Sequence, residues 1–235
     1  MMSLFFPKRK TLWVYGAWFG ERYDDNSKDL FEFANTVKNN KIEHYWIYKN
    51  PSLKEIIEKK GYNCANAYSL KGIIIQLRAK VFITCINSSD FIPFLVTPRN
   101  YFVQLWHGSP IKYLGYDSRK TSIKKIMDYI RFKLLDNYSM VVSPSQLFDK
   151  TYQSAICANN NKRFFRGGYP RNENLIIDYK TRKQVKDFFK IGRDEILIAY
   201  LPTHRNEGKS QSPFKSILKE IIKRKQKRLK NQKPG

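Results

Sequence analysis

Short apolar runs alternate with amphipathic stretches along most of this chain, and that alternation limits its fold more than any other feature. Leu12-Trp13-Val14-Tyr15, Tyr45-Trp46-Ile47-Tyr48 and Val81-Phe82-Ile83-Thr84-Cys85-Ile86 read as strands. The last run is continuously apolar, as expected where helices cover both faces of a parallel sheet. Between the runs, Leu30, Phe31, Phe33, Ala34 and Val37 keep helical spacing behind a cap at Ser27, and Pro51-Ser52 opens a helix through Leu53, Ile56 and Ile57. Further strands are expected at Tyr101 to Trp106, Tyr138 to Val142 and Glu195 to Tyr200, with helices over about 145–155 and 182–190. No internal repeat interrupts the pattern, so the predicted class is α/β.

With 235 residues the chain is long enough for a substantial core, and 15 Tyr and 16 Phe argue against disorder despite heavy charge. Lys and Arg number 44 against 20 Asp and Glu, a formal net charge of +24, so the surface attracts phosphates of some kind. Residues 209–235 hold ten basic residues and one acid, a concentrated tail on a general excess. That tail reads as a membrane-surface contact, as a solvated charged helix or as the product of an interrupted reading frame, the last two favoured. Cys64, Cys85 and Cys157 form no CxxC pair and no even-numbered framework, which fits a reducing compartment. Leu4-Phe5-Phe6 precedes Lys8-Arg9-Lys10, the reverse of a secretory signal, and no run approaches the ~20 apolar residues of a membrane span. Ile123, Ile126, Met127, Ile130 and Leu134 share one helical face, with Lys124, Lys125, Arg131 and Lys133 mostly off it. Such a helix either lies on anionic lipid or packs its apolar face on a core.

The run Tyr101-Phe102-Val103-Gln104-Leu105-Trp106-His107-Gly108-Ser109-Pro110 delivers a histidine from a strand into a Gly-Ser-Pro turn. Histidine exchanges a proton near neutral pH, and the strand end is where open α/β sheets place ligands. His107 is therefore the candidate catalytic residue, against the alternative of a half-buried structural histidine. Gly108 has no side chain to keep a ligand from the backbone. His44 reads as structural. Asp24, Asp25 and Asp117 lack the spacing of a metal site, so no metal is expected, and Ser143 and Ser145 lack the nucleophile elbow of a serine hydrolase; no cofactor is expected. No helix-turn-helix, zinc or RNP pattern accompanies the basic charge, which argues against a nucleic-acid partner.

Gln104-Leu105-Trp106-His107-Gly108-Ser109-Pro110-Ile111-Lys112, followed by Gly115 and Asp117, resembles the CDP-glycerol glycerophosphotransferase family of teichoic acid synthesis. Gly168-Tyr169-Pro170-Arg171-Asn172 and Ala199-Tyr200-Leu201-Pro202-Thr203-His204-Arg205 are similar to two more of its segments, in the same order, although His204 stands where the family has Trp. Tyr23-Asp24-Asp25-Asn26-Ser27-Lys28 is a weaker fourth match. The resemblance covers about residues 11–208. It implies a GT-B-like α/β fold with one complete Rossmann-like N-terminal domain, acceptor-side, over 11–192, after a basic segment at 1–10. The start of a nucleotide-binding C-terminal domain, truncated and ending in the basic tail, would follow over 193–235.

The same resemblance implies transfer of glycerol phosphate from CDP-glycerol to a polyol-phosphate acceptor on a lipid carrier, releasing CMP. His107 would be the general base, and Gly108, Arg171, Asn172, Thr203 and Arg205 would bind substrate. The implied setting is peripheral, on the cytoplasmic side of an anionic membrane surface, with a separately encoded C-terminal half as a candidate partner. Two other readings stay open: a nucleotide-sugar glycosyltransferase of the same architecture, and a non-catalytic half that binds membrane or acceptor.

Overall fold

The structure is a computed structural model that describes residues 6–38, 41–110, 113–118, 135–156, 163–175 and 179–192, together with 123, 126, 127, 130, 195, 197 and 198. The chain divides into two units, Met1–Ile177 and Asp178–Gly235.

The first unit is built on strands β1 (Arg9–Gly16), β2 (Glu43–Tyr48), β3 (Cys64–Asn66), β4 (Ala79–Thr84), β5 (Tyr101–Gln104), β6 (Met140–Val142) and β7 (Phe164–Phe165). Helices α1 (Asp25–Thr36), α2 (Leu53–Glu58), α3 (Leu70–Arg78) and α4 (Gln146–Ala155) connect or follow them. Among the described residues the strands form one sheet in the order β3-β2-β1-β4-β5-β6-β7, every pair parallel. The chain steps outward from β1 in one direction and returns to its other side at β4. Such a reversal is where open α/β sheets form their ligand crevice, here beyond the carboxyl ends of β1 and β4.

Two apolar layers flank the sheet, as parallel strands require. Leu12, Val14, Ile47, Phe82, Phe102 and Val141 pack on one side. Tyr15, Phe31, Trp46, Ile83, Val103 and Val142 pack on the other. The two lists alternate along each strand, which is the period of two expected of a pleated ribbon.

Several expectations need correction. Asp24, not Ser27, caps α1: its carboxylate accepts from the N–H of Asp25, the first helical residue, and Ser27 is buried inside the helix. Asp25 itself has φ 66°. The strand expected through Trp106 stops at Gln104, because Trp106 turns to φ 60°. The short strands β3 and β7 and the helix α3 are additions to the predicted pattern. His44 is buried, with Nδ1 2.9 Å from the hydroxyl of Tyr15, in keeping with a structural role.

Helical residues Ile123, Ile126, Met127 and Ile130 are exposed, so the face they share is not packed on the core. In the second unit, α5 (Tyr179–Phe188) covers most of the helix expected at 182–190. The strand expected at Glu195 to Tyr200 is absent at its described positions 195, 197 and 198, while 196, 199 and 200 lie outside the described residues, as does the basic tail. No helix among the described residues is long and apolar enough to cross a membrane.

Candidate active site

His107 stands three residues past the end of β5, beside the carboxyl ends of β1 and β4. Its ring Nδ1 is 3.1 Å from the carbonyl oxygen of Cys85, the residue after β4. A carbonyl only accepts, so in the neutral imidazole Nδ1 carries the proton and Nε2 keeps its lone pair. The ring stacks on Trp106 at 4.6 Å and 24° and meets Trp18, from the loop after β1, at 5.7 Å. Three adjacent strands thus contribute one wall each. The guanidinium of Arg22 lies 4.9 Å from the centre of the Trp18 ring, so a cation borders the same wall.

The backbone around His107 is fixed from several directions. Buried Gln104 accepts from the Trp106 N–H at 2.9 Å through Oε1 and donates to the Ile86 carbonyl at 2.8 Å through Nε2. Fully buried Asn26 donates to the Trp106 carbonyl at 2.7 Å. Together these bonds hold Trp106 in its left-handed conformation, one that a bulky residue otherwise avoids.

Arg171 reaches the same turn from far along the chain. One terminal nitrogen donates to Asp25 at 2.7 Å and the other to the His107 carbonyl at 3.0 Å, while its backbone N–H donates to Asn26 Oδ1 at 3.3 Å. Asp25 is buried and Arg171 half-buried, so the ion pair is screened less than a surface one. Gly108, at φ 143°, leaves space that Arg171 uses: a Cβ there would sit 3.3 Å from its guanidinium.

Behind the Trp18 wall lies the carboxylate of Asp90, fully buried. It accepts from the Phe19 N–H at 2.7 Å, the Ile86 N–H at 3.2 Å and the hydroxyl of Thr84. Burial raises its pKa to about 6 despite these bonds, which pull it down. Phe19 and Trp18 both have positive φ, so Asp90 anchors a strained loop directly beneath the histidine's neighbour.

Of the residues expected at the site, His107, Gly108 and Arg171 come together. The Asn172 side chain is exposed and its N–H donates to the Tyr169 carbonyl at 2.9 Å. Thr203 and Arg205 lie outside the described residues. Sequence reasoning gave no site role to Asn26, Gln104, Trp18 or Asp90. The signal for Asn26 was the fourth stretch of resemblance, Tyr23 to Lys28, which contains it. Among the described residues no group of three or more His, Cys, Asp or Glu is arranged to hold a metal. A separate groove of about 400 Å³ along α1 carries Asp29, Glu32 and Glu173, with Asp29 paired to Lys28 and Glu32 to Lys60.

The model of the family described as CDP-Glycerol:Poly(glycerophosphate) glycerophosphotransferase matches residues 1–232. The teichoic acid poly(glycerol phosphate) polymerase of Bacillus spizizenii is 26% identical over 225 residues, covering 90% of this chain and 55% of that protein. The teichoic acid glycerol-phosphate transferase of Staphylococcus aureus is 25% identical over 206 residues, covering 84% of this chain and 51% of that protein. A solved structure of the wall teichoic acid polymerase TagF, a variant soaked with CDPG, superposes with a TM-score of 0.68 at 20% identity, over 86% of this chain and 51% of that one. The chain therefore spans about half the length of these relatives. The structural likeness speaks for the fold, and the parallel sheet agrees with the α/β, GT-B-like class expected from the sequence.

Proposed function

The chain belongs to the CDP-glycerol:poly(glycerophosphate) glycerophosphotransferase family, and from that membership we propose that it transfers glycerol phosphate from CDP-glycerol to the terminal hydroxyl of a polyol-phosphate acceptor, releasing CMP. The observation that carries this reading is the bond from His107 Nδ1 to the Cys85 carbonyl, which leaves Nε2 as a proton acceptor at the mouth of the sheet's crevice. In the reaction, Nε2 takes the acceptor hydroxyl's proton as its oxygen forms a bond to the glycerol-bearing phosphorus. The bond from that phosphorus to the oxygen of the CMP phosphate breaks, and CMP leaves with the electron pair.

Arg171 supports the reading in two ways. It holds the His107 carbonyl, and only two of its five N–H donors are accounted for by Asp25 and that carbonyl, so it retains capacity for a phosphate oxygen. Gly108 keeps the approach to the backbone open. Asn172, and beyond the described residues Thr203 and Arg205, complete the proposed substrate contacts. The proposed acceptor is carried on lipid at the cytoplasmic face of the membrane, with the protein peripheral to it. The charge of +24 and the exposed apolar side chains of Ile123, Ile126, Met127 and Ile130 favour that placement. Residues 11–192 serve as the acceptor-side domain in this scheme, and 193–235 begin the nucleotide-binding one.

The test is CMP release from CDP-glycerol, with and without a glycerol-phosphate acceptor, by the wild-type chain and by His107→Ala. Loss of a general base predicts a decrease of roughly 10²- to 10⁴-fold in the variant. Absence of donor- and acceptor-dependent CMP release in the wild type, or unaltered release in His107→Ala, overturns the proposal. A parallel incubation with nucleotide sugars, giving nucleoside diphosphate instead, would move the chain to the glycosyltransferase reading.

A further inference from the structure

The amino ends of β1, β4 and β5 lie side by side because those strands are neighbours in the sheet and run parallel. Each brings a cation to that edge: Lys8 just before β1, Lys80 at the second position of β4, and Arg99 two residues before β5. Arg78, at the end of α3, enters the same edge.

The cluster is built rather than incidental. Lys80 donates from Nζ to the Arg99 carbonyl at 2.6 Å. The loop that carries Arg99 is fixed by buried Asn100, whose Oδ1 accepts from the N–H and the hydroxyl of Thr97, each at 2.8 Å, and whose Nδ2 donates to the Ala79 carbonyl at 2.7 Å. Lys8 Nζ and Arg78 Nε are buried without a hydrogen-bond partner. Burial first, and then the cationic Arg99 and Lys80 beside it, lower the Lys8 pKa to about 8. On the neighbouring β2, Glu43 is already paired with Arg9.

A buried ammonium with cationic neighbours and no acceptor is costly, and the cost is relieved when an anion supplies both charge and acceptor atoms. We propose that Lys8, Lys80 and Arg99 form a binding site for a phosphate-class oxyanion at the amino edge of the sheet. A tetrahedral phosphate presents oxygens in several directions at once, which suits donors arriving from three separate strands. Strand rise puts the site roughly 20 Å from His107, at the other end of the same strands, so it is distinct from the catalytic crevice. It does not depend on the proposed transfer reaction.

The test compares thermal unfolding of the full chain in inorganic phosphate and in chloride at equal ionic strength. Phosphate is expected to raise the melting temperature above the chloride value in the wild type, and Lys8→Met to lose that increment while still unfolding cooperatively in chloride. Equal shifts in the two salts, or a full phosphate increment in Lys8→Met, overturn the site. Should Lys8→Met fail to fold, Arg99→Gln, at an exposed position, must reduce the increment, and an undiminished one overturns the proposal equally. Competition against radiolabelled phosphate then assigns the source. Displacement by glycerol 3-phosphate supports the site with a soluble phosphate ester as ligand, displacement by phosphatidylglycerol vesicles alone supports it with a lipid headgroup, and displacement by neither supports it with inorganic phosphate itself.

Discussion

At the residue scale, Trp106 and Gly108 bracket the histidine with two positive-φ conformations of opposite meaning. Trp106 is held there by Gln104 and Asn26, whereas Gly108 adopts its angle freely. Gly108→Ala should therefore cost about 1–3 kcal/mol in backbone strain and press on Arg171, visible as a lower urea midpoint together with slower CMP release. Asn26→Ala removes the donor to the Trp106 carbonyl and the acceptor for the Arg171 N–H; a loss of about 1–3 kcal/mol is expected from two buried groups left unpaired. Asp90 makes a pH prediction. Burial raises its folded-state pKa to about 6 from the ordinary 3.8, so the stability it contributes is fully present below the unfolded value and is lost as pH rises through about 6. At 1.36 kcal/mol per pKa unit the amount is roughly 3 kcal/mol. Melting curves between pH 4 and 7 should show this loss in the wild type and its absence in Asp90→Asn; parallel curves would remove Asp90 as the cause.

At the scale of elements, α4 and the turn carrying Arg171 are fastened together by a hydrogen bond of 3.0 Å between the buried hydroxyls of Tyr152 and Tyr169. Tyr152→Phe should lower stability by about 1 kcal/mol, measured by urea denaturation. The longer strands and α1, α2 and α4 were legible because each carries its own periodic apolar pattern. The strands β3 and β7 were not: Cys64-Ala65-Asn66 and Phe164-Phe165 are too short to show alternation, and pairing with β2 and β6 makes them strands. The capping of α1 shows a subtler limit. Asp24, Asp25, Asn26 and Ser27 are all residues that suit a helix start, and only packing against the His107 turn selects Asp24 as the cap and leaves Asp25 and Asn26 to meet Arg171. Likewise His107 and Gly108 could be picked out from the strand-turn pattern, while the Asp25–Arg171 bond links positions 146 residues apart, beyond any local signal.

For the whole molecule, a charge of +24 means that folding gathers like charges, and the resulting self-repulsion is weakened by salt. Raising sodium chloride from about 10 mM to 150 mM, which shortens the Debye length from about 30 Å to about 8 Å, should raise the melting temperature; an unchanged value would indicate that the cations are already paired or well separated. The sheet that collects these charges also divides labour between its ends. Each loop at the carboxyl edge grows from a different strand, so Trp18, Cys85 and His107 can be altered one at a time without re-registering the ladder beneath them. A scaffold wired in this way lets chemistry drift while the architecture stays inherited.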